Sequence, residues 1–314
     1  SLHRRTQGRG DMVEPSFLTA RHGARTRWAA AGRSAAYLLL ALIGALLATA
    51  VAKRLFGASL LQLAQGDATA GAVRAVLLLL GVVVFPTVLM LLIFKEPVRL
   101  SGWSGSRAGR WLGGGLVTGL GLLSAVAGTL WLAGAATFQV TMPDTAEATS
   151  ALLVSAALWL AQAAGEEGLH RGYPFVQACR AISFWPAAVI GSGAFLLGHL
   201  GNPGETLPGL IVAGLFGLAL AYSFLRTGSL WFALGFHAAW NFAQSFLFGF
   251  PNSGGAPPAH LLSVQLYGAP WLTGGTTGPE ASVLMVPVLM VLVAIIHRLP
   301  RPQPVRRLRG YWQD

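Results

Sequence analysis

Glu166 and Glu167 stand side by side at the end of an apolar run, Ala151–Ala164, and Arg171 follows four residues after Glu167. A charge at the centre of a membrane helix costs roughly 2.5–3.5 kcal/mol on insertion scales, so carboxylates in such a place are commonly in use. Two later apolar segments carry further polar groups. His199 ends Phe195-Leu196-Leu197-Gly198-His199, and His237-Ala238-Ala239-Trp240-Asn241 lies within another. A carboxylate can take a proton from water, an imidazole can hold or move one, and an amide can donate to a developing oxyanion. These residue types point to acid–base chemistry inside a greasy bundle.

Helical geometry sharpens this reading. Glu167 and Arg171 are four apart, the spacing of an ion pair. Glu166 is turned by about 100° from Glu167. One carboxylate can be held by arginine while the other faces the bundle. Glu166 shares its face with His170, and His237 shares its face with Asn241. Gly165, Gly168 and Gly172 allow neighbouring backbones to come close. A purely structural account stands against this: a buried Glu–Arg pair can be a staple, and a histidine in a membrane helix can be a satisfied interhelical hydrogen bond. His170 is the weakest member of the group, near an interface. Yet of the 11 acids only this pair lies within an apolar helix.

The elements that must position these groups are membrane helices. The chain has 314 residues, 54% hydrophobic and 11% charged. A soluble domain carries about 25% charged residues, so the expected fold is all-α, a polytopic membrane bundle. A span needs about 20 apolar residues. Eight spans are expected, near 35–52, 73–94, 111–136, 149–165, 185–200, 207–225, 229–249 and 281–297. The organisation is then a basic tail (1–34), N-terminal membrane helices (35–148), a catalytic core (149–249), and an outer loop with the last span and a basic C-terminal tail (250–314).

The net charge is +11. The cations flank apolar spans, so they point to membrane orientation and contact with the lipid bilayer, with no nucleic acid. Lys95, Arg99, Arg107, Arg110, Arg171, Arg180, Arg226 and Arg298 fall on one side of the expected topology. The opposite side holds Asp144, Glu147, Glu205 and a loop, 251–280, without Lys or Arg. The positive-inside rule then makes both termini cytoplasmic. Lys53, Arg54 and Arg74 argue mildly against this. The 251–280 loop reads either as a lid or as a solvated linker. Cys179 is the only cysteine, so no intramolecular disulfide forms. No cleavable signal peptide is expected, because more than 30 polar or basic residues precede the first apolar stretch.

The glutamate pair with Arg171, then Phe195-x-x-x-His199, then His237-x-x-x-Asn241, in that order, resembles the three motifs of the CPBP family. That family includes type II CAAX prenyl proteases and bacteriocin-processing relatives. The likeness covers about Glu166 to Asn241. It implies an eight-helix intramembrane peptidase with Glu166 as general base and His199 holding the attacking water. It also implies that His237 and Asn241 stabilise the oxyanion and that Arg171 pairs with Glu167. No metal is required on this reading. Zinc is the other option, with Glu166, His199 and His237 as three ligands and an open position.

Two competing readings differ in class. Ser192 could pair with His237 in a rhomboid-like serine protease, but that leaves both glutamates idle. A membrane scaffold or transporter could use the carboxylates for protons or a cation. The expected partner is a membrane protein or peptide substrate. A prenylated CAAX tail, a bacteriocin leader and a C-terminal sorting tag are the substrate classes. The Ala/Gly/Arg-rich composition points to a bacterial inner membrane, and with it to one of the latter two.

Overall fold

The computed structural model describes residues 18–19 and 22–300, apart from 104, 106 and 143. The first membrane helix, α1, is Ala24–Phe56. The second is α2, Ala68–Leu78, which passes through a π-helical segment, Leu79–Val84, into α3, Phe85–Phe94. Next come α4, Ala108–Leu132, and the strand β1, Ala136–Val140. The site region comprises α5 (Thr145–Arg171), α6 (Tyr173–Ile182), α7 (Phe184–Gly198), α8 (Leu207–Thr227) and α9 (Trp231–Phe242). A π-helical segment, Ala243–Leu247, extends α9. The strand β2, Leu262–Leu266, and α10, Met285–Arg298, complete the fold.

Five stretches are long and apolar enough to cross a membrane: Ala24–Phe56, Ala68–Phe94, Ala108–Leu132, Thr145–Ile182 and Leu207–Thr227. Two shorter apolar helices, Phe184–Gly198 and Met285–Arg298, join them. With α9, they follow the order of the eight expected spans. Their outer faces are apolar: Leu39, Leu42 and Leu46 of α1 and Met290 of α10 are exposed. A continuous exposed apolar surface of this kind belongs against lipid.

Two boundaries differ from expectation. Helix α1 begins at Ala24, inside the stretch read as a tail, and residues 1–17 of that tail lie outside the described residues. Its basic residues find partners on neighbouring elements. Arg27 Nε donates to Ala181 O at 2.7 Å, and Arg33 Nη1 pairs with Glu96 Oε1 at 2.6 Å. Glu96 also accepts from Arg180 Nη1 (3.0 Å), Tyr173 Oη (2.5 Å) and Gln177 Nε2 (2.9 Å). One carboxylate thus joins α1, the end of α3 and α6. The fourth span is also longer than the sequence suggested. After α5 the helix breaks only at Gly172 and resumes as α6 with Pro174 in its first turn. A Cβ on Gly172 would overlap the Gly168 carbonyl.

Proline also shapes the second span. Pro86 has no N–H, so it cannot bond the carbonyl of Val82 four residues earlier. Tyr37 Oη supplies that donor, 3.4 Å from the oxygens of both Val82 and Val83, and contacts Thr87 Oγ1 at 3.2 Å. The π-helical turn and the tyrosine of α1 therefore accommodate one proline together.

Helix α9 is pinned along α4 by glycines. A Cβ on Gly115 or Gly119 would run into the α9 backbone at Phe232 and Phe236, and one on Gly235 into the Leu112 carbonyl of α4. Small residues allow this close approach, and in lipid it replaces the hydrophobic driving force. The start of α9 is fixed as well: Leu230 N donates to Gly102 O at 2.9 Å, and Trp231 Nε1 to Trp103 O at 2.9 Å.

The 251–280 loop is neither free nor simply solvated. Strand β2 pairs antiparallel with β1, in register Ala136↔Leu266 to Val140↔Leu262. The β1 residue Phe138 packs on Phe248 and Phe250, with ring centroids 5.7 and 5.9 Å away. This strap covers the bundle end where α4 finishes and α5 begins.

Candidate active site

Helix α5 delivers both glutamates, and its last two turns set them apart. Glu167 is fully buried, whereas the Glu166 side chain is 29% exposed. Glu167 Oε1 accepts from Arg171 Nη1 at 2.7 Å and from His237 Nδ1 at 2.8 Å. Arg171 Nε also donates to Gly217 O of α8 at 3.3 Å, and its guanidinium lies 5.0 Å from the centre of the Phe195 ring. Arg171 therefore ties α5 to α7 and α8 as well as holding Glu167. Glu166 Oε1 accepts from Gln162 Nε2 at 3.1 Å, and Glu166 Oε2 faces His237 Nε2 at 3.5 Å. A single imidazole thus stands between the two neighbouring carboxylates.

The ring orientation follows from these contacts. With Nδ1–H donated to buried Glu167, His237 turns Nε2 toward the half-open Glu166. This is the arrangement by which a buried carboxylate fixes the tautomer and angle of a catalytic histidine. The i, i+4 spacing alone indicates the Glu167–Arg171 pair. It did not reveal that Glu167 holds His237, because that bond spans 70 residues. Asn241 lies one turn beyond His237 on α9, buried, and its amide makes no hydrogen bond to the described residues.

His199 reaches this level by the return of the chain. After the break at Ser183, a non-glycine residue with φ of 73°, α7 runs back along α5. The His170 and Phe195 rings meet edge to face at 5.3 Å. Four residues back from His170 is Glu166, and four on from Phe195 is His199. Each step is about 6 Å at 1.5 Å per residue, so Glu166 and His199 come to the same depth. The continuation of α5 into α6 makes this possible by moving the inner turn well beyond Arg171. Phe195 lies against His199 and His237, at ring distances of 4.7 and 6.0 Å, and is the apolar post around which the three histidines stand. His199 Nδ1 is bonded to Phe195 O at 2.8 Å, which leaves Nε2 for other partners.

The zinc set can be tested against this geometry. Among the described residues, no group of three His, Cys, Asp or Glu is disposed to hold a metal ion. The Nδ1 partners of His237 and His199 leave Nε2 as the nitrogen of each ring open to a ligand, and His237 Nε2 stands 3.5 Å from Glu166 Oε2. The residues as arranged do not form a three-ligand site. Ser192 does not serve His237 either. It is buried on α7, a Cβ on Gly217 would lie 3.0 Å from its Oγ, and both imidazole nitrogens face glutamates.

Sequence reasoning missed several polar residues around this centre. Gln162 sits four residues before Glu166, a spacing that carried the signal. Glu280 arrives from the strap, in the short 3₁₀ turn Pro279–Ala281. Ser253 N–H and Oγ–H donate to Glu280 Oε2 at 2.6 and 3.1 Å. Burial pushes the Glu280 carboxyl above the usual carboxylate range, while the Ser253 N–H, the Gln244 amide and the His199 imidazole favour its charged form. An acid in a loop with no Lys or Arg was the available hint.

Residues 148–243 match the model of the family described as Rce1-like, type II CAAX prenyl endopeptidase Rce1-like. No curated protein and no solved structure matches the chain. The matched stretch runs from the first turn of α5 into the π-helical extension of α9, and contains both glutamates, Arg171, His199, His237 and Asn241. The glutamate pair, divided between one buried ion pair and one open carboxylate on a bundle of apolar helices, thus lies within the stretch, residues 148–243, that is similar to the Rce1-like type II CAAX prenyl endopeptidase family.

Proposed function

We propose that the chain is an intramembrane endopeptidase that hydrolyses a peptide bond of a membrane-associated protein or peptide with a water activated at Glu166. The observation that carries this reading is the division of the glutamate pair about one imidazole. Glu167 is buried and committed to Arg171 and His237, and Glu166 is open and faces the other side of the same ring. Glu166 accepts a proton from water, and His199 at the same depth holds that water through Nε2. His237, held through Nδ1 on Glu167, and the Asn241 amide stabilise the oxyanion. Donors fixed before the reaction contribute most where water is excluded. The proton taken by Glu166 then passes to the leaving amine. No step is routed through a metal.

The substrate is an extended segment entering from the bilayer. Of the classes considered, a bacteriocin-type leader or a C-terminal sorting tag fits a bacterial inner membrane better than a prenylated tail. The test is membrane proteomics of cells carrying Glu166→Gln in place of the wild-type protein, followed by cleavage of the accumulating substrate in proteoliposomes. A defined precursor should accumulate, and purified wild-type protein should cut it. A Glu166→Gln protein that cleaves at the wild-type rate would overturn the reading. A scaffold or transporter would keep its partner or its flux and leave no uncut precursor.

A further inference from the structure

The structure assigns to Glu280 a positioning role for this site: held in the strap, it fixes the His199 turn relative to the Asn241 face of α9. This rests on the proposed peptidase reading and extends it to a residue outside the stretch matched by the family. The link to His199 is a chain of hydrogen bonds. Glu280 Oε2 accepts from Ser253 N and Oγ, Ser253 O accepts from Asn202 Nδ2 at 2.9 Å, and Asn202 N donates to His199 O at 3.1 Å. Ser253 has φ of 44°, a left-handed conformation that costs energy for a residue with a Cβ. In this conformation the Ser253 N–H and hydroxyl converge on a single carboxylate oxygen.

The other arm reaches α9. Gln244 is three residues after Asn241 and fully buried, and a Cβ on Gly278, two residues before Glu280, would lie 3.2 Å from its Nε2. Gln244 Nε2 also donates to Pro251 O at 2.6 Å, two residues before Ser253. His237, Asn241 and Gln244 fall at i, i+4 and i+7, a single helical face. Through Ser253 and the Pro251 carbonyl, the part of the strap that Glu280 holds is tied both to the segment that ends in His199 and to the face that carries His237 and Asn241. The surrounding knot is tight. Gly204 N donates to Gly254 O at 3.1 Å, Gly254 N to Thr277 O at 3.0 Å, and Thr206 Oγ1 meets Thr277 Oγ1 at 2.7 Å. A Cβ on Gly204 would lie 2.7 Å from Gly254 O and 2.9 Å from Thr276 O. The backbone around Glu280 has little room to adjust, so a change in this carboxylate is felt at His199.

The experiment compares Glu280→Ala, Glu280→Asp and Ser253→Ala with Glu166→Gln in the full-length protein, in proteoliposomes. Glu280→Ala should lower kcat at least tenfold with KM within twofold and melting temperature little changed. Glu280→Asp should recover part of the loss, and Ser253→Ala should fall between. Backbone hydrogen exchange supplies a readout independent of cleavage: the amides of Asn202, Gly204 and Glu205 should exchange at least tenfold faster in Glu280→Ala. A Glu280→Ala protein that matches wild type in kcat while Glu166→Gln is inactive would overturn the inference and leave the peptidase reading standing. Unchanged exchange at 202–205 would overturn it regardless of activity. If Glu280→Ala does not fold, Ser253→Ala carries the same two readouts. A Glu166→Gln protein that remains active would sink the peptidase reading, and the exchange result would still decide the Glu280–His199 link.

Discussion

At the residue scale, the two adjacent glutamates are chemically different because their surroundings are. Glu167 is buried between a guanidinium and an imidazole, and Glu166 is open on one side. Replacing Glu166 by Gln keeps the shape and removes the base, which should cost about 10²–10⁴ in rate with the melting temperature unchanged. Arg171→Ala leaves the Glu167 carboxylate buried without its cation, and losses of about 3–5 kcal/mol are usual for such changes. Thermal unfolding in detergent should show a large drop. Glu167→Gln should lower both stability and kcat, because it weakens the arginine pair and the grip on His237 together; loss of stability at an unchanged kcat would dissociate Glu167 from His237. Asn241→Ala should lose about 2.7–4 kcal/mol of transition-state stabilisation if its amide is a full oxyanion donor. A folded variant at the wild-type rate would remove it from the site. The metal-free mechanism is checked by elemental analysis of active protein: chelation should leave the rate unchanged, and one zinc per chain, lost in His199→Ala, would reverse that view.

At the element scale, position is set by close packing and by broken helices. Helix α9 can carry His237 to Glu166 only because Gly115, Gly119 and Gly235 let it lie almost on the backbone of α4. Gly119→Leu should disrupt this contact. Overpacking typically costs about 1–3 kcal/mol, and here the displaced helix bears two site residues, so activity should fall further than stability. Gly121, on the same helix, has nothing within 4 Å of an added Cβ. Gly121→Ala should be neutral or raise stability by about 0.5–1 kcal/mol, since alanine suits a helix interior better. Melting temperature and cleavage rate measured on the pair separate a packing effect from a general loss of glycine. The glycines at 115 and 119 were legible in the sequence as a small-residue pattern. Which helix they would receive was not, since any apolar helix with small residues can answer such a stripe.

At the scale of the whole molecule, the helices alternate between two ends. One end gathers Arg27, Arg33, Glu96, Arg180 and Arg226, and the other gathers the strap, Glu205 and Glu280. By the positive-inside rule the first end is the one expected on the cytoplasmic side. A periplasm-active reporter fused after residue 262 should be active, and one fused at the C-terminus inactive. The opposite result would invert the orientation, while an intermediate pattern would break the eight-helix topology. The Glu96 cluster binds α1, α3 and α6 at the basic end. Glu96→Ala should destabilise the protein without moving KM, because its contacts lie away from the glutamate pair.

The sequence alone determined the material and pointed to the residues for the chemistry. Its shortage of charge and its apolar runs imposed a membrane bundle, because backbone polar groups in lipid must be satisfied within helices. Ordered motifs at helical spacing identified Glu166, Glu167, Arg171, His199, His237 and Asn241 as the residues to examine. Spacing within one helix is local, so the Glu167–Arg171 pair and the shared face of His237 and Asn241 could be read directly. Only the tertiary structure decided which carboxylate is buried, since that depends on His237 and Gly217 arriving from other helices. It also decided the depth of His199, set by continuation of the fourth span past Gly172 and the turn at Ser183. The strap was the least legible part. Its pairing of β1 with β2 and its delivery of Glu280 join segments more than a hundred residues apart or separated by irregular loops. No local pattern specifies such contacts; they form because buried polar groups must find partners wherever the folded chain supplies them.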